Sequence, residues 1–378
     1  MIRSSTSGRH ATPASRPVLE ALEPRQLLSA DFALQDLQTL GGANSWAMAV
    51  NDVGQVVGSS ETGASYSDGS PVSHAFLWSD ALGMVDLGTL GGRSSWAYGV
   101  NNAGMVVGTS ETGQVDQWGS RVTRPFLWTP SGGMQGLGTF GGPSGSALDI
   151  NDFGEVTGWA HTRSGVYHAF YWSSGNMWDL GTLYDGETST GEAINYDGSI
   201  VGASGIGSFD GQDEITSAFL SWVDDATGDR DALEDLGSDA GSEGWSHAND
   251  INFYNEVVGW SDVVEGDGQV GQHAYMWGPD GVRDISLADG TSEAFAVNDH
   301  VEVVAVQQDA EGASIPYMWT ADGVTRLDTN YNMSDAADIN NSGQIVGAFW
   351  DGQRENAALL DPARPHLTIE DLDLTESD

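Results

Sequence analysis

Short apolar runs, broken by glycine, asparagine and aspartate, recur along most of the chain, and three strings carry the recurrence. The first is an apolar pair, Asn, two further residues, Gly and a β-branched run. It reads AVNDVGQVVG from residue 49, GVNNAGMVVG from 99, DINDFGEVTG from 149 and AINYDGSIVG from 193, then DINFYNEVVG from 250, AVNDHVEVVA from 296 and DINNSGQIVG from 338. The second is HAFLW at 74–78, with counterparts RPFLW, HAFYW, SAFLSW, HAYMW, IPYMW and a degenerate NAALL at 356–360. The third, of MVDLG type, is anchored at Leu37, Leu87, Leu137, Leu180, Leu236, Ile285 and Leu327. The central asparagines, Asn51, Asn101, Asn151, Asn195, Asn252, Asn298 and Asn340, advance by 42 to 57 residues, so a unit of about 48 residues occurs seven times. A fixed period of this size marks a repeat architecture.

Each unit predicts four strands. The first string is a β-hairpin, two apolar runs around a turn with glycine where a positive φ is needed. Gly54, Gly104, Gly154, Gly198 and Gly343 fill that slot, Asn255 replaces it once and Val301 is the exception. HAFLW and MVDLG supply the third and fourth strands, separated by polar turn residues such as SDALG. The runs do not alternate cleanly, which argues that both faces of each small sheet are covered. Four-stranded units sandwiched between their neighbours predict an all-β, seven-bladed β-propeller over residues 31–365, with a β-solenoid as the alternative. Phe76 and Trp78 are then expected to fill the gap to the adjacent blade. FALQDLQTLGG, 32 to 42, is a lone fourth strand, and the seventh unit lacks one. The ring is therefore expected to be closed by the N-terminal strand, although HLTIEDLDL at 366 to 374 could compete for that place.

DLGTLGG at 86–92, VNDVGQVVG at 50–58 and HAFLW at 74–78 together resemble the HAF-repeat family of extracellular repeat proteins. The resemblance covers about residues 32 to 361 and implies an exported bacterial repeat protein whose biochemical role is not established. LEPRQLLSA, 22 to 30, is similar to the LEPR-xLL segment near the start of many large surface or secreted bacterial proteins. It implies export or sorting through Leu22, Glu23, Pro24, Arg25, Leu27 and Leu28. Residues 1–30 carry four arginines against two glutamates and are rich in Ser, Thr and Pro, yet lack the apolar stretch of an ordinary signal peptide. They are read as a disordered leader, and 366–378 as an acidic C-terminal tail.

Charge narrows the choice of partner. The 378 residues include 55 acidic side chains against 13 arginines, no lysine and no cysteine, for a net charge of −42. Such a field repels phosphate backbones and anionic lipid, so nucleic acid is excluded as a partner; with no run of 18 apolar residues, no membrane span is expected. Without cysteine there is neither a disulfide framework nor a thiolate metal site.

Catalytic motifs are lacking: there is no HExxH, GxSxG or P-loop, and the GxGxxG at Gly266, Gly268 and Gly271 leads into a strand instead of a helix. His74, His168 and His273 fall at equivalent places in different units and are expected to be spread around the ring, not gathered on a metal. The acidic stretches FDGQDE (209–214) and DDATGDRDALED (224–235) offer oxygen ligands, with Asp224, Asp225, Asp229 and Asp231 the candidates for calcium. Topology places the fourth-to-first strand crossovers and the variable second-to-third loops on one face. That face carries Trp46, Trp96 and Trp245 in GGxxSW-like segments, and a tryptophan beside Asn, Asp and Ser suits sugar rings. The expected function is that of a monomeric, secreted or cell-surface binding module without catalysis, for glycans or envelope proteins. The alternatives are a carbohydrate-active enzyme of glycosidase or lyase type and a purely structural envelope protein.

Overall fold

The computed structural model describes residues 32–362, apart from 185, 209–213, 223–231, 239–243, 267, 280 and 289. Seven antiparallel sheets of four strands each form a β-propeller. Strands are named a to d within each blade. Blade 1 comprises Ser45–Val50 (a), Val56–Ser65 (b), Pro71–Ser79 (c) and Gly83–Asp86 (d). The a strands of blades 2 to 7 are Ser95–Val100, Gly141–Ile150, Ser189–Ile194, Ser246–Ile251, Ser292–Val297 and Met333–Ile339. The expected closure is present: Phe32–Asp36 is the d strand of blade 7 and pairs with Glu355–Pro362, from Phe32 against Pro362 to Asp36 against Ala358. Blades 6 and 7, whose strings drift furthest from the consensus, are four-stranded like the rest.

The central asparagine explains why one hairpin is used seven times. In every blade its N–H donates to the carbonyl four residues on, and the N–H three residues on donates back to its carbonyl, as in Asn51 with Gln55 and Gly54. This is a type I turn followed by a residue in left-handed geometry, which suits glycine. Gly54 has φ +77°, and Asn255 and Val301 adopt the same region at +61° and +60°. The fold therefore imposes left-handed backbone even on a β-branched side chain. The asparagine side chain works in two directions. Its Oδ1 accepts from N–H groups of its own turn, as from Gln55, while its Nδ2 donates to the carbonyl of the next blade's asparagine. Asn51 donates to Asn101, and so on through Asn340, which donates to Asn51. All seven links span 2.8 to 3.2 Å and all seven side chains are buried. A closed belt of hydrogen bonds thus circles the axis, and burial keeps water from competing for it.

The HAF and DLG strings are joined by a cross-strand pair. His74 Nδ1 lies 2.8 Å from Asp86, His168 Nδ1 2.9 Å from Asp179 and His273 Nδ1 2.7 Å from Asp284, with Ser217 to Asp235 in blade 4. The same aspartate caps the turn leaving strand d, as when Asp86 accepts the Gly88 N–H. The alanine after the histidine meets the next blade, its N–H donating to the first serine of strand a: Ala75 to Ser95, Ala169 to Ser189, Ala218 to Ser246, Ala274 to Ser292 and Ala357 to Ser45. The aromatic residue after that is core. Phe76 and Trp78 are buried with Val346, Ala357 and Leu359, filling the gap to blade 7 as expected.

Every a strand also carries a bulge at the same place, at Met48 in blade 1, where the pairing shifts between Ala47 and Ala49. The equivalent shifts fall between Ala97 and Gly99, Ala147 and Asp149, Gly191 and Ala193, Ala248 and Asp250, Ala294 and Ala296, and Ala336 and Asp338. Bulges re-aim side chains, so the broken alternation of the sequence has this cause in addition to two-sided burial. Among the described residues no helix is long and apolar enough to cross a membrane.

Candidate binding site around the central channel

The a strands are innermost, each touching those of the two neighbouring blades, and each runs from the crossover face to the hairpin face; some of their side chains, such as Ala47 and Val50, are buried between blades. Crossover and second-to-third loops share one face: Gly42 N–H donates to the Glu61 carbonyl, and Glu61 N–H to that of Asn44. Strands b and c of blade 1 continue to Ser65 and from Pro71, so the loop between them is short.

Five residues before the central asparagine, near the crossover face, the seven blades present Trp46, Trp96, Ser146, Thr190, His247, Glu293 and Asp335. Of the three tryptophans singled out in the sequence, Trp46 and Trp96 hold this position in adjacent blades. Both are half-buried, and Trp46 Nε1 donates to Glu355 Oε2 at 2.9 Å. Trp245 does not join them. It lies two positions earlier, in the crossover before strand a of blade 5, where its N–H donates to Asp262 at 2.9 Å. In its place blade 5 offers His247, stacked parallel to Trp260 at 6.2 Å.

His247 organises the far wall. Its Nε2 is 3.6 Å from Glu192 of blade 4 and its Nδ1 2.8 Å from the side-chain oxygen of Asn249. Asn249 Nδ2 donates to Glu293 of blade 6 at 2.8 Å and to the Ala294 carbonyl. Four polar side chains from three blades are thereby held in one line. Burial in the wall pushes the Glu293 carboxyl upward against the Asn249 hydrogen bond and the nearby His247, with Glu192 and Asp335 adding repulsion. Burial likewise raises Asp335, with Glu355 adding to it. None of the seven ring positions is basic apart from His247, so an anionic ligand finds no partner here. Sequence reasoning missed this set because its members share a column of the repeat, not a motif. Aligning the units on the central asparagine would have shown it.

Deeper in the channel, three aspartates alternate with small residues at the position two before the asparagine. Asp149 accepts from the Ile150 and Ile194 N–H groups, Asp250 from Ile251 and Val297, and Asp338 from Ile339 and Val50. Each bridges its own blade to the next. Burial raises all three, and repulsion from the other aspartates adds at Asp250 and Asp338; Asp338 is pushed up to about 6 and Asp250 is held well above the ordinary range. Beyond them, inside the asparagine belt, a cavity of about 280 Å³ opens on the hairpin face. Among the described residues no three His, Asp or Glu side chains converge to hold a metal. The calcium candidates Asp224, Asp225, Asp229 and Asp231 lie outside the described residues, as do Leu22, Glu23, Pro24, Arg25, Leu27 and Leu28 of the leader.

Residues 35–134 match a family described as a protein of unknown function, DUF3466. No curated protein matches the chain. Among solved structures, the β-propeller domain of the Trilobed protease from Pyrococcus furiosus, reported to have an open velcro topology, is similar with a TM-score of 0.56 and 10% identity, over 84% of this chain and 95% of that one. A polysaccharide lyase of family PL25, an ulvan lyase, aligns at 0.40 and 9% identity over 88% and 94%. The XC5397 gluconolactonase from Xanthomonas campestris aligns at 0.36 and 12% over 76% and 89%. At such identities the likeness speaks to the propeller fold alone.

Proposed function

We propose that the protein is an exported module, secreted or held at the cell surface, that binds a glycan at the crossover-face mouth of its channel without cleaving it. One observation carries the reading. Trp46 and Trp96 occupy the same inner-strand position in adjacent blades, and His247, Glu293 and Asp335 hold that position in blades 5, 6 and 7. Indoles stack on the C–H faces of sugar rings, while carboxylates and imidazole engage hydroxyls. Export is supported by the HAF-type strings and by the LEPR-xLL segment. A net charge of −42 disfavours self-association, so the module acts as a monomer.

The test is to incubate the full chain with polysaccharides and cell-wall fractions, with and without calcium, scoring both retention and released product. Retention without product is expected, weakened roughly tenfold or more by combining Trp46→Ala with Trp96→Ala. Unchanged retention by that double variant would reject the site. A carbohydrate-active enzyme is the second reading, favoured by Glu293 and Asp335, two carboxyls at the same position of adjacent blades that burial raises above the ordinary value. Oligosaccharide released by the wild type and not by Glu293→Gln would establish it. Retention by no fraction leaves a structural envelope role.

A further inference from the structure

The hairpin face carries a second belt outside the asparagine ring, and the belt is broken at one place. The residue after each central asparagine is Asp52, Asn102, Asp152, Tyr196, Phe253, Asp299 or Asn341. Where it is Asp or Asn, its side chain accepts the corresponding N–H of the preceding blade. Asp52 donates to Asn102, Asn102 to Asp152, Phe253 to Asp299, Asp299 to Asn341 and Asn341 to Asp52, at 2.8 to 2.9 Å. Five of the seven links are made in this way. Phe253 has no acceptor and Tyr196 lacks the short carboxylate or amide oxygen that makes the link elsewhere, so the links from the Asp152 and Tyr196 N–H groups are not made.

The same two residues start a run of exposed rings. Phe153 is 4.8 Å from Tyr196, Tyr196 is 5.8 Å from Phe253 and Phe253 is 5.3 Å from Tyr254, ring centre to ring centre. The four are 64, 50, 44 and 60% exposed. Four neighbouring aromatic side chains left in water gain little from burial. At two of the four, Tyr196 and Phe253, the fold has an alternative that the five other blades use. A local rule broken without a structural return marks a functional position.

We infer that this arc of blades 3 to 5, on the rim of the 280 Å³ hairpin-face cavity, is a binding site for a neutral saccharide. The aromatic run supplies the surface on which sugar C–H faces stack. The two vacant N–H donors supply partners for hydroxyl or ring oxygens. The carboxylates of Asp52, Asp152 and Asp299 around the same rim turn away uronates and sulfated sugars. The site is separate from the crossover-face site. Were both occupied, one molecule would hold two glycan chains, one at each end of its channel.

The test uses a variant that repairs the repeat. Tyr196→Asp with Phe253→Asp, in the full chain, restores the residue type that the other blades use to close the belt. Binding of cellohexaose, mannohexaose and xylohexaose is measured by calorimetry, with trigalacturonate as the charged control and thermal unfolding alongside. In a chain whose Trp46 and Trp96 are changed to alanine, so that the crossover-face site does not contribute, at least one neutral hexasaccharide is expected to bind, and to lose more than roughly tenfold in affinity when the repair is added. The repaired variant should unfold at the same temperature or higher. The inference is overturned if no neutral hexasaccharide binds, or if trigalacturonate binds as well as they do. It is also overturned if the repaired variant keeps its affinity, if only the tryptophan substitutions abolish binding, or if repair lowers the unfolding temperature, which would make the rings structural. A Tyr196→Phe, Phe253→Tyr exchange, which keeps both rings, should retain binding, and its failure counts against the stacking role.

Discussion

At the scale of single residues, the repeat provides its own controls. In five blades a serine hydroxyl at the start of strand a receives an alanine N–H from the preceding blade, but blades 2 and 6 carry Pro125 and Pro316 in place of that alanine, and proline has no N–H. Opposite Pro125 stands Gly145, whose missing Cβ would lie 3.2 Å from the proline ring. Opposite Pro316 stands Ser334, whose buried hydroxyl has no partner. Ser334→Ala should therefore be neutral or stabilise by up to ~1 kcal/mol, whereas Ser292→Ala, which removes a used acceptor, should cost about 1 to 2 kcal/mol. Urea denaturation of the two variants checks the opposite signs.

The asparagine belt is a larger stake. Asn151→Ala removes donors to Glu155 and to the Asn195 carbonyl, and an acceptor for two turn N–H groups. It should cost about 3 kcal/mol or more, as loss of a buried network does. Asp338 has a pH signature. Its folded carboxyl titrates at about 6, above the ~3.9 of an unfolded aspartate, so the folded state binds this proton more tightly. Its stabilising contribution is full below the unfolded value and is lost as the pH rises through about 6. Relative to the wild type, Asp338→Asn should gain about 2 to 3 kcal/mol between pH 4 and pH 7, and a flat difference in denaturation midpoint across that range would contradict the raised carboxyl. At this scale the sequence displayed the seven asparagines but not their use, because a hydrogen bond between units 50 residues apart leaves no mark in the spacing. Trp245 was misaligned for a local reason. The crossover serine precedes Trp46 and Trp96 but follows Trp245, and the serine sets the register.

Among the elements, strand identity and order were legible because each unit repeats its apolar runs and its turn chemistry. The empty fourth place in the seventh unit also predicted the clasp. Bulges were not legible, since a shift of pairing at Met48 depends on the partner strand. The clasp turns a string of repeats into a ring, and Leu37, just after it, is 1% exposed in the core between blades 7 and 1. Leu37→Ala should cost about 2 to 5 kcal/mol, the range for a buried leucine, and should do so for the whole molecule. A single transition at a lower denaturant midpoint is the expected record, while an early phase confined to blade 7 would show that the clasp acts only locally.

For the whole molecule, each blade touches two neighbours through the same kind of core and the same asparagine link, with a serine link at five of the seven seams, and blade 7 to blade 1 has all three. Linear repeats lose this symmetry at their ends. The channel sites fall on opposite sides of the legibility line for the same reason. Trp46 and Trp96 stood out in the sequence as rare residues in a repeated string. His247, Glu293, Tyr196 and Phe253 matter as departures from a column, and the column is visible only once blades are superposed.

The seam between Phe32 and Pro362 has one more consequence. These two residues face each other in adjacent strands, where blades 1, 2, 3, 5 and 6 have a short turn. A chain cut instead at Ala81, within the turn of blade 1, with Pro362 joined to Phe32 by a copy of the SDALG linker, would contain the same contacts in a new order. Such a circular permutant should fold to the same ring and lose no more than ~1 to 2 kcal/mol, the scale of one altered loop closure. The position of the seam would then be an accident of ancestry, and the same ring could be opened at the short turn of another blade.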